Sequence, residues 1–254
     1  RTSYGQVIDT ILMEGMMRSA RQYAGFSTLS TGLVSVPVLV GIGVLVAIVA
    51  AARRRATLAG RALGAVVGAN VTTQILKDYV LTRPSLGVTT GVVNSLPSGH
   101  ATVAVTLSLA LVVVAPQWVR GPSAWIGWAW TSLMIVSVMM EGWHRPSDAI
   151  TAALIAGAWA LALSPIERRP RHGIKVQRIM VWVCMTLVII AIVATIAAMW
   201  GFSMSAAAPG SGYGFEYFLE IRPWRSRVLG VAAIAWVSAI CGLIIHEVDR
   251  LAGE

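Results

Sequence analysis

The sequence predicts an all-α protein, a polytopic bundle of about seven transmembrane helices. Of its 254 residues, 56% are hydrophobic and only 12% are charged, which is about half the charged fraction of a typical soluble domain. The mean hydropathy is +0.73. Apolar runs of roughly 18 residues or more are typical of membrane-spanning helices, and no alternating pattern typical of β-strands competes with them. These observations predict an integral membrane protein.

Seven apolar stretches are predicted to span the membrane. They cover residues 31–51, 58–80, 100–116, 123–141, 148–164, 178–200 and 227–246. The third to fifth stretches are short, so we expect them to be tilted or to extend past the membrane surface. Cys184 and Cys241 lie inside apolar stretches and are predicted to be buried free thiols, since cysteine packs as a small hydrophobe.

The segment before the first predicted span has an amphipathic pattern from Gln6 to Gln22. Its apolar side chains recur at helical spacing, at Val7, Ile8, Ile11, Leu12 and Met16. The pattern predicts either a helix that lies in the membrane interface or a simple connector. Residues 1–30 are expected on the extracytoplasmic side, and this position would suit a further span upstream of residue 1.

Basic residues are unequally distributed between the two sides of the predicted bundle. One side receives Arg53, Arg54, Arg55, Arg61, Arg120, Arg168, Arg169, Arg171, Lys175 and Arg178. The positive-inside rule makes this side cytoplasmic. The loops over residues 81–99, 142–147 and 201–226 then lie outside. Because the net charge of +9 is placed in short loops and forms no basic patch interleaved with aromatic residues, it does not predict a nucleic-acid partner.

These predictions divide the chain into three parts. Residues 1–30 form an extracytoplasmic amphipathic segment, residues 31–164 form a membrane bundle, and residues 165–254 add two spans joined by an extracytoplasmic loop. That loop is rich in aromatic residues and arginine. It is predicted to be either an interfacial anchor or a surface that binds a lipid headgroup or a protein partner.

Polar side chains that could bind and transfer a phosphate converge on the predicted outer side. They are Lys77, Arg83, Ser98, Gly99, His100, His144, Arg145 and Asp148. Ionisable groups beside membrane spans are costly and usually functional, although a single Lys at a span end commonly extends to the interface. Lysine and arginine supply positive charge for a phosphate, and the predicted helix start at Ser98 and Gly99 favours an anion.

The two histidines complete a set of residues suited to phosphoryl transfer. One histidine can attack phosphorus while the other protonates the leaving oxygen. Asp148 follows His144 by four residues, and Pro146 between them favours a helix start. A carboxylate at this offset can bind one imidazole nitrogen and leave the other nucleophilic. No carboxylate cluster suggests a metal and no cofactor is predicted, so positive side chains and backbone dipoles would stabilise the phosphoryl group.

Three motifs in this order resemble the type 2 phosphatidic acid phosphatase superfamily, membrane lipid-phosphate phosphatases that are related to vanadium haloperoxidases. The first contains Lys77 and Arg83-Pro84, the second is PSGH at Pro97 to His100, and the third contains His144 and Asp148. The resemblance covers roughly residues 58 to 164 and implies a core with the fold of that superfamily.

The resemblance also implies a role for each matching residue. His144 resembles the nucleophile that forms a phosphohistidine, and Asp148 resembles its orienting carboxylate. His100 resembles the general acid for the departing alcohol and later the base for water. Lys77, Ser98 and Gly99 resemble phosphate ligands.

The chain departs from the family pattern at two places. Five residues separate Lys77 from Arg83, where the family has six. In the third motif, the family has Ser-Arg where this chain has Ser137 and Val138, so a phosphate-binding arginine is missing. We hypothesise that Arg145, next to His144, replaces its charge; the alternative is a weaker or shifted phosphate site.

The predicted function is hydrolysis of a lipid phosphomonoester or diphosphate at the extracytoplasmic side of a plasma membrane, with a bacterial plasma membrane favoured by the composition. Polyprenyl phosphate or diphosphate, phosphatidic acid and phosphatidylglycerol phosphate all fit as substrates. A lipid phosphotransferase would use the same residues, and a catalytically silent protein that binds phospholipid or scaffolds an envelope complex is the alternative from another class. A transporter is disfavoured because the polar residues gather at one surface instead of the bilayer midplane.

Overall fold

The structure, a computed structural model, describes residues 2–21, 36–52, 56–87, 94–164, 174–203 and 215–252. Within these ranges it is built from helices, with no β-strand element, so the all-α prediction is confirmed. The helices are α1 (Ser3–Arg21), α2 (Val36–Ala52), α3 (Ala56–Ile75), α4 (Gly99–Val114), α5 (Gln117–Met140), α6 (Pro146–Ala162), α7 (Ile174–Met199), α8 (Glu216–Glu220) and α9 (Trp224–Leu251). A π-helical segment, Leu76–Val80, continues α3.

Helices lie over all seven stretches that were predicted to span the membrane. By length and apolar composition, three helices of the described residues can cross a bilayer: Gln117–Met140, Val176–Met199 and Trp224–Leu251. Val40–Ala52, Gly99–Val114 and Pro146–Ala162 are shorter apolar helices. The chain is therefore compatible with a membrane protein, and the number of seven crossings stays a prediction.

Helix α4, which begins with the second motif, packs against α2, α3, α5 and α6. Its sequence is apolar around its whole circumference, which is typical of a buried helix, and most of its side chains are buried. Helix α6 lies against α3, α4 and α9. Its buried face consists of small residues, Ala149, Ala152, Ala153, Ala156 and Ala160, and such residues allow helix backbones to approach closely.

Helices α1 and α9 are integral to the same bundle. Helix α9 packs against α7, α5 and α6, and α1 packs mainly against α9. Val7, Ile11, Leu12 and Met16 of the predicted amphipathic face are all buried. The apolar face of α1 thus packs against helices of the bundle, with Ile8 of the same pattern 38% exposed, and the location of α1 at the membrane interface stays a prediction.

Two polar features of the sequence are also located by the fold. Cys184 and Cys241 are buried free thiols, as predicted.

Arg120, which was expected in a cytoplasmic loop, lies instead within α5, because that helix begins at Gln117 and continues through Pro122. Its buried guanidinium donates to the carboxylate of Asp249 (Nε–Oδ1 3.0 Å) and so joins α5 to the end of α9. A charge at this depth requires such a partner.

A glycine turn connects α5 to the third motif. Gly142 has φ +72°, and its N–H donates to the carbonyl of Met139 while the N–H of Trp143 donates to the carbonyl of Val138. This pair of bonds is a Schellman motif, in which a residue with positive φ ends the helix. The turn brings His144 to the same end of the bundle as the start of α4.

We expect Gly142→Ala to lower the free energy of unfolding by about 1–2 kcal/mol, because a side chain disfavours the left-handed conformation. The added Cβ would also lie 2.7 Å from the Met17 side chain. Thermal unfolding in detergent measures the change. Gly60→Ala is the matched control, since Gly60 lies within α3 and its Cβ would meet no atom within 4 Å. Equal melting temperatures for the two variants would contradict the expectation.

Candidate active site

His144 and Asp148 meet at the start of α6. Pro146 is the first residue of that helix and Arg145 is its N-cap. The Asp148 carboxylate accepts a hydrogen bond from the Arg145 N–H (Oδ2, 2.9 Å), and the same oxygen lies 3.5 Å from His144 Nδ1. Asp148 is fully buried and His144 is nearly so. The spacing of four residues with an intervening proline therefore produces the predicted contact through the geometry of one helix turn.

Ser95 supplies a further hydrogen bond to this carboxylate. Its hydroxyl donates to Asp148 Oδ2 at 2.6 Å. Two donors and the nearby imidazole thus surround one oxygen of Asp148, and such an arrangement favours the ionised carboxylate. An ionised Asp148 attracts a proton to Nδ1 of His144, which leaves Nε2 with its lone pair.

His100 faces His144 across a cavity of about 340 Å³. The two imidazole ring centroids are 6.3 Å apart, and the His100 ring also lies 5.6 Å from the Trp143 ring. His100 is in the first turn of α4 and is exposed. The cavity is lined by Asn70, Gln74, Lys77, Gly99, His100, Val103 and His144. It therefore contains both predicted catalytic histidines, together with Lys77 and Gly99 of the predicted phosphate ligands.

Asn70 and Gln74 were missed by the sequence reasoning, although a signal for them exists. They precede Lys77 by seven and three residues, which places the three side chains on one face of a helix. Lys77 itself lies in the π-helical segment, a geometry that is frequent at functional sites.

Asn94 connects this segment to the second motif, and it was also missed. Its side-chain amide donates to the carbonyls of Lys77 (3.1 Å) and Leu81 (2.8 Å). It also contacts the carbonyl of Leu96 at 3.3 Å. An asparagine before an apolar run is a common loop residue, so its position along the chain gave no indication of this role.

Ser98 is buried and does not line the cavity that contains the histidines. Its hydroxyl accepts a hydrogen bond from the Ala101 N–H (3.3 Å) and so caps α4, and its own N–H donates to the carbonyl of Asp148 (3.1 Å). These bonds join the starts of α4 and α6. Gly99 follows directly and lines the cavity, where a Cβ would approach only Gln74 Nε2, at 3.6 Å. The α4 N-terminus is thus open toward the histidine pair.

Arg83 and Arg145 do not line the cavity that contains the histidines. Arg83 lines a second cavity of about 290 Å³, and its Nη2 lies 3.8 Å from the Asp9 carboxylate. Arg145 is buried and donates to Thr10 Oγ1 (3.3 Å) and to Ser95 Oγ (3.3 Å). The phosphate-binding roles of both arginines therefore stay predictions, as do the roles of the other site residues.

Val138, which stands where the family has an arginine, lies in an apolar environment in the structure. Val138 is 1% exposed and packs with Ala104 and Met134. The structure therefore places no positive charge at that position of α5. Any compensation must come from another part of the site.

Comparison with protein families gives one match. The model of the PAP2 superfamily matches residues 58–172, a range that includes all eight predicted site residues and begins after α1. The match confirms the family resemblance that the three motifs indicate. No curated protein and no solved structure matches the chain.

Proposed function

We propose that the protein is a membrane lipid-phosphate phosphatase, because residues 58–172 match the model of the PAP2 superfamily, a family whose members act on phosphate esters. The observation that carries the proposal is the pair of histidines that face each other across one cavity, with Asp148 behind His144 and Lys77 at the wall. This is the set of groups that phosphoryl transfer through a phosphohistidine requires.

In the first step, Nε2 of His144 attacks phosphorus, the P–N bond forms and the P–O bond to the leaving alcohol breaks. Protonated His100 donates its proton to that leaving oxygen. Asp148 stabilises the positive charge that develops on the His144 ring, in the way a buried carboxylate supports a catalytic imidazole. The 3.5 Å separation of Nδ1 and Oδ2 is expected to shorten in the substrate complex.

In the second step, His100 accepts a proton from water, and the resulting hydroxide attacks phosphorus. The P–N bond breaks, inorganic phosphate leaves and His144 regains its free nitrogen. Lys77 and the N-terminus of α4 supply the positive charge and N–H dipoles that stabilise the phosphoryl oxygens in both steps. The proposed reaction uses no metal and no cofactor.

A lipid is the proposed substrate because apolar helices surround the site. A lipid phosphate can keep its hydrocarbon tail in the bilayer while its phosphate enters the cavity. Phosphatidic acid, phosphatidylglycerol phosphate and polyprenyl mono- or diphosphates meet this requirement. The extracytoplasmic orientation of the cavity belongs to the same proposal and is supported by the distribution of basic residues.

Val138 supports a second candidate function. Because the structure has an apolar, buried side chain where the family has an arginine, the site could bind a lipid phosphate without turning it over efficiently. Such a protein would be a phospholipid-binding or scaffolding membrane protein. A phosphotransferase, in which a sugar or lipid hydroxyl replaces water in the second step, differs from the main proposal only in its acceptor.

The deciding experiment is release of inorganic phosphate by the purified protein in detergent with EDTA present. The panel contains phosphatidic acid, phosphatidylglycerol phosphate and polyprenyl mono- and diphosphates, each with and without glycerol as an alternative acceptor. Phosphate release that persists in EDTA supports the metal-free phosphatase. Substrate consumption that appears only with an acceptor indicates a transferase. Binding without any turnover supports the silent protein.

The Arg145 hypothesis gives a separate prediction. We expect Arg145→Ala to lower kcat/KM by about 10- to 100-fold, as displacement or loss of a supporting group commonly does. Arg145→Lys should recover part of the loss if positive charge is what the site needs. Arg250→Ala, at an exposed arginine of α9, is the control. If Arg145→Ala lost no more activity than Arg250→Ala, Arg145 would not replace the missing charge.

A further inference from the structure

Helix α1 lies outside the part of the chain that matches the PAP2 superfamily, yet its polar side chains contact two of the three motifs. Gln6 donates to the carbonyl of Pro84 (2.8 Å) in the first motif. Asp9 and Thr10 contact the first and third motifs. The three residues are spaced at i, i+3 and i+4, so they share one face of the helix.

Asp9 binds the first turn of α6 with both carboxylate oxygens. Oδ1 accepts from the Ser147 N–H (2.9 Å), and Oδ2 accepts from the Ser147 hydroxyl (2.7 Å). Ser147 is the second residue of α6, so its N–H has no acceptor within that helix. A carboxylate from α1 thus caps the helix that carries Asp148, in a position that the helix dipole favours.

The Thr10 hydroxyl lies within hydrogen-bond distance of both arginines that flank the histidine site. Its Oγ1 accepts from Arg145 Nε at 3.3 Å and lies 3.5 Å from Arg83 Nη2. Arg145 then donates to Ser95, and Ser95 donates to Asp148. A continuous set of polar contacts therefore leads from α1 to the carboxylate beside His144.

We propose that Asp9 and Thr10 are positioning residues of the active site, which hold the start of α6 and the Arg145–Ser95 pair so that Asp148 orients His144. The inference rests on the proposed function for its catalytic meaning. Helix α1 is then a working part of the site, and its docking against α9 makes the catalytic geometry depend on a segment that the family motifs do not include.

The test compares Asp9→Asn, Asp9→Ala and Thr10→Val with Glu14→Gln. Glu14 is the matched control because it is an acid of the same helix, buried where Asp9 is partly buried, and it forms an ion pair with Arg18 of that helix. We expect Asp9→Ala and Thr10→Val to lower kcat by about 10- to 100-fold, with little change in KM, because misplacement of a catalytic group acts on the chemical step. Thr10→Ser should restore activity because it keeps the hydroxyl.

The dependence of kcat on pH is a second measurement, and a residue with only a structural role would not alter it. Burial raises the pKa of the Asp9 carboxyl above its usual value, as does the charge of Asp148, while the hydrogen bonds from Ser147 and the charge of Arg83 oppose the rise. As the pH falls through this raised pKa, Asp9 in the wild type becomes neutral, as asparagine always is. The kcat deficit of Asp9→Asn relative to wild type should therefore shrink toward acid pH.

Two different failures can be distinguished. If the wild type releases phosphate and the Asp9 and Thr10 variants behave like Glu14→Gln, the positioning role is wrong and the proposed function survives. If the wild type releases none, the proposed function fails, and the rate at which diethyl pyrocarbonate modifies His144 becomes the readout. A rate that changes in Asp9→Asn but not in Glu14→Gln supports the positioning of His144, and equal rates overturn it.

Discussion

His144→Ala is expected to abolish phosphate release, with a fall in kcat on the order of 10⁴ or more, as for the removal of a nucleophile in other covalent mechanisms. The reason is structural: His144 is the cavity histidine whose Nδ1 lies beside a buried carboxylate, so its Nε2 is the group free to attack phosphorus. The measurement is phosphate release from the best lipid of the panel, at saturating substrate.

A matched control separates chemistry from folding in this experiment. His246 is as buried as His144, at 6% exposure for each, but it lies in α9 outside the cavity. His246→Ala should keep its turnover if it folds. Rapid quenching and mass spectrometry should also find a phosphoryl group on a His144 peptide of the wild type. Turnover of His144→Ala within about tenfold of wild type would rule out the nucleophile assignment, since that small loss is below what general acid–base removal alone produces.

His100→Ala should show a loss that depends on the leaving group. For a lipid phosphate, whose leaving alcohol needs a proton, we expect kcat/KM to fall by about 10²- to 10⁴-fold. For p-nitrophenyl phosphate the loss should be much smaller, because nitrophenolate leaves without protonation. His100 would still be missing from the second step, so the variant should give a burst of nitrophenol followed by slow turnover.

The control for this comparison is Trp143→Ala, which removes a ring that contacts His100 but transfers no proton. We expect it to affect the lipid and the nitrophenyl ester to a similar extent. The quantity to measure for each variant is therefore the loss of kcat/KM on the lipid phosphate divided by the loss of kcat/KM on p-nitrophenyl phosphate. An equal loss on both substrates in His100→Ala would contradict its role as the general acid and would point to a role in phosphate binding.

The third motif was only partly predictable from the sequence, as Gly142 and Val138 show. The contact of His144 with Asp148 was predictable because both residues belong to one turn, and Pro146 starts the helix between them. The loss of the family arginine was also visible at Val138. The glycine turn that aims His144 at the cavity was not predicted, because a glycine before an aromatic residue does not by itself specify a positive φ.

Arg83 and Arg145 show where prediction from sequence stopped. Charge counting placed both on the outer side, and the structure brings them near the site. Both guanidinium groups contact Thr10 of α1, and that of Arg145 also contacts Ser95, but neither arginine lines the histidine cavity. Their partner Thr10 is 73 and 135 residues away along the chain. Neither the motif spacing nor the amphipathic pattern of α1 contains information about that pairing.

By itself, the sequence determined the all-α class, the approximate positions of seven helices and the family resemblance that the PAP2 superfamily match supports. These depend on local properties: apolar runs form helices, and proline and glycine mark their ends. Only the tertiary structure decided which residues share the cavity, that α1 caps α6 through Asp9, and that Arg120 pairs with Asp249. A buried polar group takes whichever partner helix packing brings to it, and that packing joins segments that are distant in the chain.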